Sequence, residues 1–196
     1  MKKYIWYGKD KFDINKLKKF ELNDNILVSQ HWDKPKEYYR YSDDTARLCY
    51  PFDALWASPI DTSLSWVDYC KRNKFNLDKF GYCQIFSLKN DAKILIIDSL
   101  DSLNKFLKKY AKKVQYSDSD VSREEKLIDV TEDIDVHQWV SCGLYRFNWN
   151  AIINDYDCME ISHDFNFNLM HRLFYTWDCD SIVIWNPKII SLCHED

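Results

Sequence analysis

The sequence predicts an α+β domain, and three observations carry that reading. Six short apolar runs have the length and alternation of strands, and two segments place apolar residues at helical spacing. The 196 residues include only 3 Gly and 4 Pro, too few for flexible linkers. A chain of this length suits one domain over residues 1–196. Aromatic residues make up 16% of it, enough to fill a core with large side chains.

The elements follow in order. Lys3 to Tyr7 reads as the first strand, with Tyr4–Tyr7 its apolar part. Phe12, Leu17 and Phe20 give apolar contacts to the next segment, and Ile26, Leu27 and Val28 form a second apolar run. His31 to Tyr50 is polar and aromatic, so it reads as a loop or short helix over the surface. Leu55–Ser58 is a short strand ended by Pro59. Thr62 or Ser63 is placed to cap a helix through Trp66, Tyr69 and Cys70. Tyr82–Leu88 and Ala92–Asp98 are the clearest strands, and Lys89-Asn90-Asp91 between them predicts a hairpin turn. Ser99 or Asp101 caps a helix reaching Lys113, with Leu100, Leu103, Leu107, Tyr110 and Val114 at helical spacing.

Residues 117–135 gather eight carboxylates against Arg123 and Lys126, which predicts a solvated acidic loop. The alternative is an acidic surface that mimics nucleic acid or docks a basic partner. A helix around His137–Leu144 and a short helix from Asn150 come next. Cys158–Ser162 reads as a strand, Asp164–Met170 as a polar and aromatic segment, and Ile182–Trp185 as a final strand closed by Asn186-Pro187.

The formal charge of −4 supplies no strong basic field for nucleic acid, although a local basic strip is compatible with it. The start has no apolar signal-peptide core, and no apolar run approaches the roughly 18 residues of a membrane span. The 7 Cys show no CxxC spacing and fit no zinc template. Buried free thiols in a reducing, cytoplasmic compartment are the expectation, with no metal and no membrane partner.

The segment from Ala54-Leu55-Trp56-Ala57-Ser58 to Tyr69-Cys70 resembles ADP-ribosyltransferases of the poly-ADP-ribose polymerase and diphtheria-toxin branch. Trp56 stands for that family's strand tyrosine and Tyr69 for its helix tyrosine. Other segments resemble the family in the same order: Tyr4-Ile5-Trp6-Tyr7-Gly8, Tyr82 to Asp98, Asn154 to Ile161, and Ser181 to Ile190. Tyr7 stands where the family has His, and Ser181 where many members have the catalytic Glu. The resemblance implies a split β-sandwich with flanking helices and NAD as substrate. ADP-ribose would pass to a macromolecule, with a protein target expected and a nucleic-acid acceptor as a further option. A toxin or a phage counter-defence factor would use such a reaction. The alternative is a non-enzymatic interaction or inhibitor protein on the same fold, binding a host protein or a nucleic-acid-binding complex.

That reaction breaks the bond between nicotinamide and ribose. The leaving group is flat and cationic, so aromatic faces suit it. Trp56 and Tyr69 are the candidate clamp, with Trp66 competing for the second face. By the resemblance, Tyr7, Gly8, His31 and Ser58 also belong to the NAD site, Gly8 by admitting a close backbone approach. A carboxylate must stabilise the oxocarbenium-like ribose. Glu160 is the first candidate, because it interrupts the apolar frame of Met159 and Ile161 and alternates away from both. Asp178 and Asp180, just before the closing strand, are the other two.

Overall fold

The computed structural model describes residues 2–17, 39–40, 54–75, 77–116, 125–137, 144–174, 177 and 179–193. They form an α+β structure with two sheets. The larger takes in β1 (Lys3–Gly8), β3 (Leu55–Pro59), β4 (Tyr82–Leu88), β5 (Ile94–Ile97), β9 (Cys158–Ile161), β10 (Ser181–Ile184) and β11 (Ile190–Leu192). Its strand order is β11-β4-β1-β3-β10-β9-β5. The smaller sheet takes β2 (Tyr39–Arg40), β6 (Ala111–Tyr116), β7 (Glu125–Asp129) and β8 (Tyr145–Phe147) in the order β2-β8-β6-β7. Four helices accompany them: α1 (Trp66–Asn73), α2 (Leu100–Tyr110), α3 (Trp149–Asp155) and α4 (Phe167–Leu173).

All six strands expected from the apolar runs lie in the larger sheet. The expected hairpin is not there. The turn forms, since Ala92 N–H donates to the Lys89 carbonyl at 3.1 Å. Its flanking strands nevertheless part: β4 has β1 and β11 on its two edges, and β5 pairs in parallel with β9. Five strand spacings separate β4 from β5, about 24 Å across a flat sheet. The six residue steps from Leu88 to Ile94 reach about 21 Å at full stretch. The sheet therefore curls, and Leu88 and Ile94 pack on one apolar cluster inside the curl with Tyr4, Phe86, Ile182 and Ile184. The opposite face of β9 and β10 packs Met159, Ile161 and Val183 against α2 and α4 in a second cluster.

Local chemistry explains most boundaries. Ser99 Oγ accepts from Ser102 N–H, and Ser102 Oγ accepts from Ser99 N–H, a capping box that starts α2. Leu103, Phe106, Leu107 and Tyr110 then form its buried stripe. The helix stops at Tyr110 rather than Lys113, because Ala111 turns extended and the chain enters β6 between β7 and β8. Glu125–Asp129, expected as acidic loop, is strand β7, with alternate Leu127 and Asp129 serving the ladder to Val114 and Lys112. Tyr39–Arg40, expected as loop or short helix, pairs with β8. Ser65, not Thr62 or Ser63, caps α1 through Asp68 N–H. Asp164–Met170, expected as a polar and aromatic segment, contains the cap Asn166 and the first turn of α4, and β11 follows the expected last strand. The run Ile26–Val28 and nearly all of the expected His137–Leu144 helix lie outside the described residues.

Cys70, Cys158 and Cys179 are buried, as expected, but Cys83 is exposed on β4. Burial, then the charges of Asp157 and Glu160, pushes the Cys158 thiol up, away from the reactive thiolate. Iodoacetamide labelling of the native protein, mapped by mass spectrometry, is expected to modify Cys83 well before Cys70, Cys158 and Cys179, which should be spared until denaturant is added. Equal labelling of Cys83 and Cys158 without denaturant would refute the curled sheet.

Candidate functional site

Three neighbouring strands bring the candidate residues near one another. β3 lies between β1 and β10. Side chains alternate along a strand, and ladder partners share a face. Val183 is paired with both Trp56 and Met159, so these three face the helices. Ser58 and Ser181 fall on that face by alternation, as does Tyr7, since Ile5 pairs with Ser58. Helix α1 lies over it: Ser58 Oγ accepts from the Trp66 N–H at 3.0 Å. Tyr7 meets Phe80 edge-on at 5.6 Å. Burial raises its phenol pKa, with Cys83 and Asp68 adding to the effect. Tyr7, Trp56, Ser58, Trp66 and Tyr69 thus occupy one side of the sheet.

The aromatic rings are not arranged as an open clamp. Trp56 packs edge-on against Trp177 at 4.7 Å, within the helix-side core. Trp66 and Tyr69 are stacked on each other, with centroids 5.6 Å apart and planes 14° apart. A planar ligand between two rings needs about 7 Å. The pair is closed, and one ring must swing out to admit a third. Gly8 also differs from expectation. A Cβ there would lie 2.2 Å from two atoms of the Trp6 indole, so this glycine makes room for Trp6.

Glu160 lies on the other side. Ile182 pairs with both Ala57 and Glu160, so Glu160 faces into the curl while Trp56 faces the helices. Its Oε2 accepts from the Tyr4 hydroxyl at 2.7 Å, and its Oε1 is paired with the Lys2 ammonium. The carboxylate is buried and neutralised. Burial first, then the bond to Glu160, raises the Tyr4 phenol. Alternation away from Met159 holds as expected. The expectation that Glu160 and Trp56 share a cleft fails, because that depends on the register between β9, β10 and β3.

Asp180 has the parity of Ile182 rather than of Ser181, but it precedes the strand and bonds the connection that leads into α1. Only 3% exposed, it stands at the head of β10. Its Oδ1 accepts from the His163 N–H at 2.6 Å, and its Oδ2 accepts from the Thr62 hydroxyl. Its own N–H donates to the Leu64 carbonyl at 3.0 Å. One residue thereby ties the chain after β9 to the connection between β3 and α1. Burial pushes its pKa up, but the hydrogen bonds from His163 and Thr62 outweigh burial and hold it below the usual carboxylate range. His163 Nδ1 lies 3.4 Å from Oδ1, an ion-pair distance without hydrogen-bond alignment. Among the described residues its Nε2 has no hydrogen-bond partner. Sequence reasoning missed His163, whose one signal is its place just past an apolar strand. Ser181 donates to the Cys179 carbonyl at 3.0 Å, so that position supplies no carboxylate. His31 and Asp178 lie outside the described residues.

Among the described residues, no group of three or more His, Cys, Asp or Glu is placed to hold a metal ion, and no helix is long and apolar enough to cross a membrane. Compared with protein families, curated proteins and solved structures, the chain matches none.

The lowered pKa of Asp180 makes stability depend on pH in a known direction. A depressed carboxylate contributes stability above its unfolded pKa, about 3.9, and loses it as pH falls through the folded value. Asp180→Asn is expected to cost about 1–3 kcal/mol at neutral pH in urea unfolding. The gap to the parent protein should narrow as pH drops below about 4. A gap that stays constant down to pH 2 would mean that the charge of Asp180 contributes nothing.

Proposed function

We propose that this chain is an ADP-ribosyltransferase-like domain that binds NAD on the α1 side of β1, β3 and β10. The observation that carries the reading is an adjacency. The segments that resemble the family around Tyr7, Ser58 and Ser181 are far apart in sequence, yet they lie on neighbouring strands with α1 above them. Trp66 and Tyr69 stand beside that face as the stacking surface for the cationic nicotinamide ring. Asp180 replaces Glu160 as the carboxylate of the site. It stays ionised, and each of its oxygens keeps a second acceptor position after bonding His163 or Thr62. In this reading a ribose hydroxyl takes the place of Thr62, and the negative charge stabilises the oxocarbenium-like sugar as nicotinamide leaves. ADP-ribose then passes to a macromolecular acceptor, for which a protein is the first expectation.

A second reading, a non-enzymatic binding protein on the same scaffold, is favoured by two details. The aromatic pair is closed on itself, and both oxygens of Asp180 are already bonded. Calorimetry with NAD separates the two. Binding with a dissociation constant of about 1 mM or tighter is expected, and Tyr69→Ala should weaken it by about 1–3 kcal/mol. Nicotinamide release should fall about 100-fold in Asp180→Asn and persist in Glu160→Gln. No binding heat up to millimolar NAD would remove the transferase reading and leave the binding protein.

A further inference from the structure

We propose that the C-terminal turn of α1 and the segment after it form a binding surface for single-stranded nucleic acid. Lys71, Arg72, Lys74 and Phe75 are all exposed, and Leu77 follows at 50% exposure. Three exposed cations thus precede an exposed aromatic ring within five residues, on a chain whose formal charge is −4. Among the described residues, neither Lys71 nor Lys74 has an acidic partner. Phe75 is 46% exposed and stands edge-on to Trp66 at 6.1 Å, so one edge has a neighbour while much of its ring faces water.

A hydrogen-bonded helix cap carries this display. Lys74 caps the helix in the left-handed region at φ 53°, and it is the one described non-glycine residue with positive φ. Its N–H donates to the Cys70 and Lys71 carbonyls, and Phe75 N–H donates to Cys70 at 2.9 Å. Glycine fits such a cap without steric cost, so a lysine here sacrifices local stability for a charge at the tip.

The composition selects the occupant. Two of the three cations are lysines, which protein interfaces tend to exclude, while Arg72 and Phe75 suit either kind of partner. Exposed cations suit a phosphate backbone, and an exposed ring beside them suits an unpaired base, whose face is hidden in a duplex. DNA and RNA share this chemistry. The inference is independent of the NAD reading, and absence of NAD binding would leave it intact.

Fluorescence polarisation of the full chain with labelled oligo(dT) and oligo(U) of about 12 nucleotides tests it. Binding is expected at low salt and should weaken steeply between about 50 and 200 mM salt. Replacing Lys71, Arg72 and Lys74 together by Ala should flatten the logarithmic salt slope by about 2, near 0.7 per lost phosphate contact. Phe75→Ala should weaken binding about 5- to 100-fold and leave that slope unchanged. Lys74→Gly should bind more weakly yet melt no lower than the parent, which a purely structural lysine would not do. Three results would overturn the proposal: no polarisation change at about 100 μM protein in low salt, binding indifferent to all of these substitutions, or preference for anionic phosphatidylserine vesicles over both oligonucleotides.

Discussion

The register of β10 is the constraint on which the rest of the structure depends. With Ile182 between Ala57 and Glu160, and Val183 between Trp56 and Met159, every side chain on the central strands is assigned to a face. A slip of one residue would reverse that assignment for the whole strand. Val183, now in the helix-side core, would turn into the curl, and Ser181 would lose the face it shares with Ser58 and Trp56. Slipping β9 instead would carry Glu160 away from Tyr4 and Lys2 and leave a buried carboxylate without partners, a state costing several kcal/mol. Burial of a charge with its partners therefore fixes which face the other side chains can use.

Asp180 secures the same strand at its head. It joins two connections, the one from β3 to α1 and the one from β9 to α4, which Ser63 and Asp164 also link. Burying an ionised carboxylate is tolerable there because backbone and side-chain donors arrive together. His163 is brought alongside, and among the described residues its Nε2 has no hydrogen-bond partner.

How much of this was legible in the sequence follows from what each feature depends on. Strands such as Tyr82–Leu88 and Cys158–Ile161 announce themselves by their own apolar residues, and the Ser99 cap by its own hydroxyl. Those features are local. Partner choice is not: Lys89-Asn90-Asp91 makes its turn, but β4 and β5 find other neighbours because both edges of β4 are already filled. The cap of α1 misled for a similar reason. Thr62 is drawn to Asp180 and Ser63 to Asp164, leaving Ser65 for the helix. The end of α2 at Tyr110 was obscured because Lys112, Lys113 and Val114 suit a helix as well as a strand until β7 and β8 supply the ladder. For the candidate site, Tyr7, Ser58, Trp66 and Tyr69 were readable as a group. The face of Glu160 was not, since parity across three strands needs a register that no single strand encodes.

Helix α1 is where these threads meet. Eight residues are too few to hold a helix in water without tertiary contacts. It is kept by Ser58 beneath its first turn, by the Ser65 cap, by the Asp180–Leu64 link just before it, and by Cys70, which is fully buried. The Trp66–Tyr69 stack and the Phe75 ring touch through Trp66, so the two proposed surfaces share a side chain and a short rigid element. Opening the stack to admit a planar ligand requires Trp66 or Tyr69 to move, and a moving Trp66 takes away the edge against which Phe75 rests. A ligand in the stack and a base on Phe75 would then compete for one ring's position, which couples the two surfaces without any change in the sheet below.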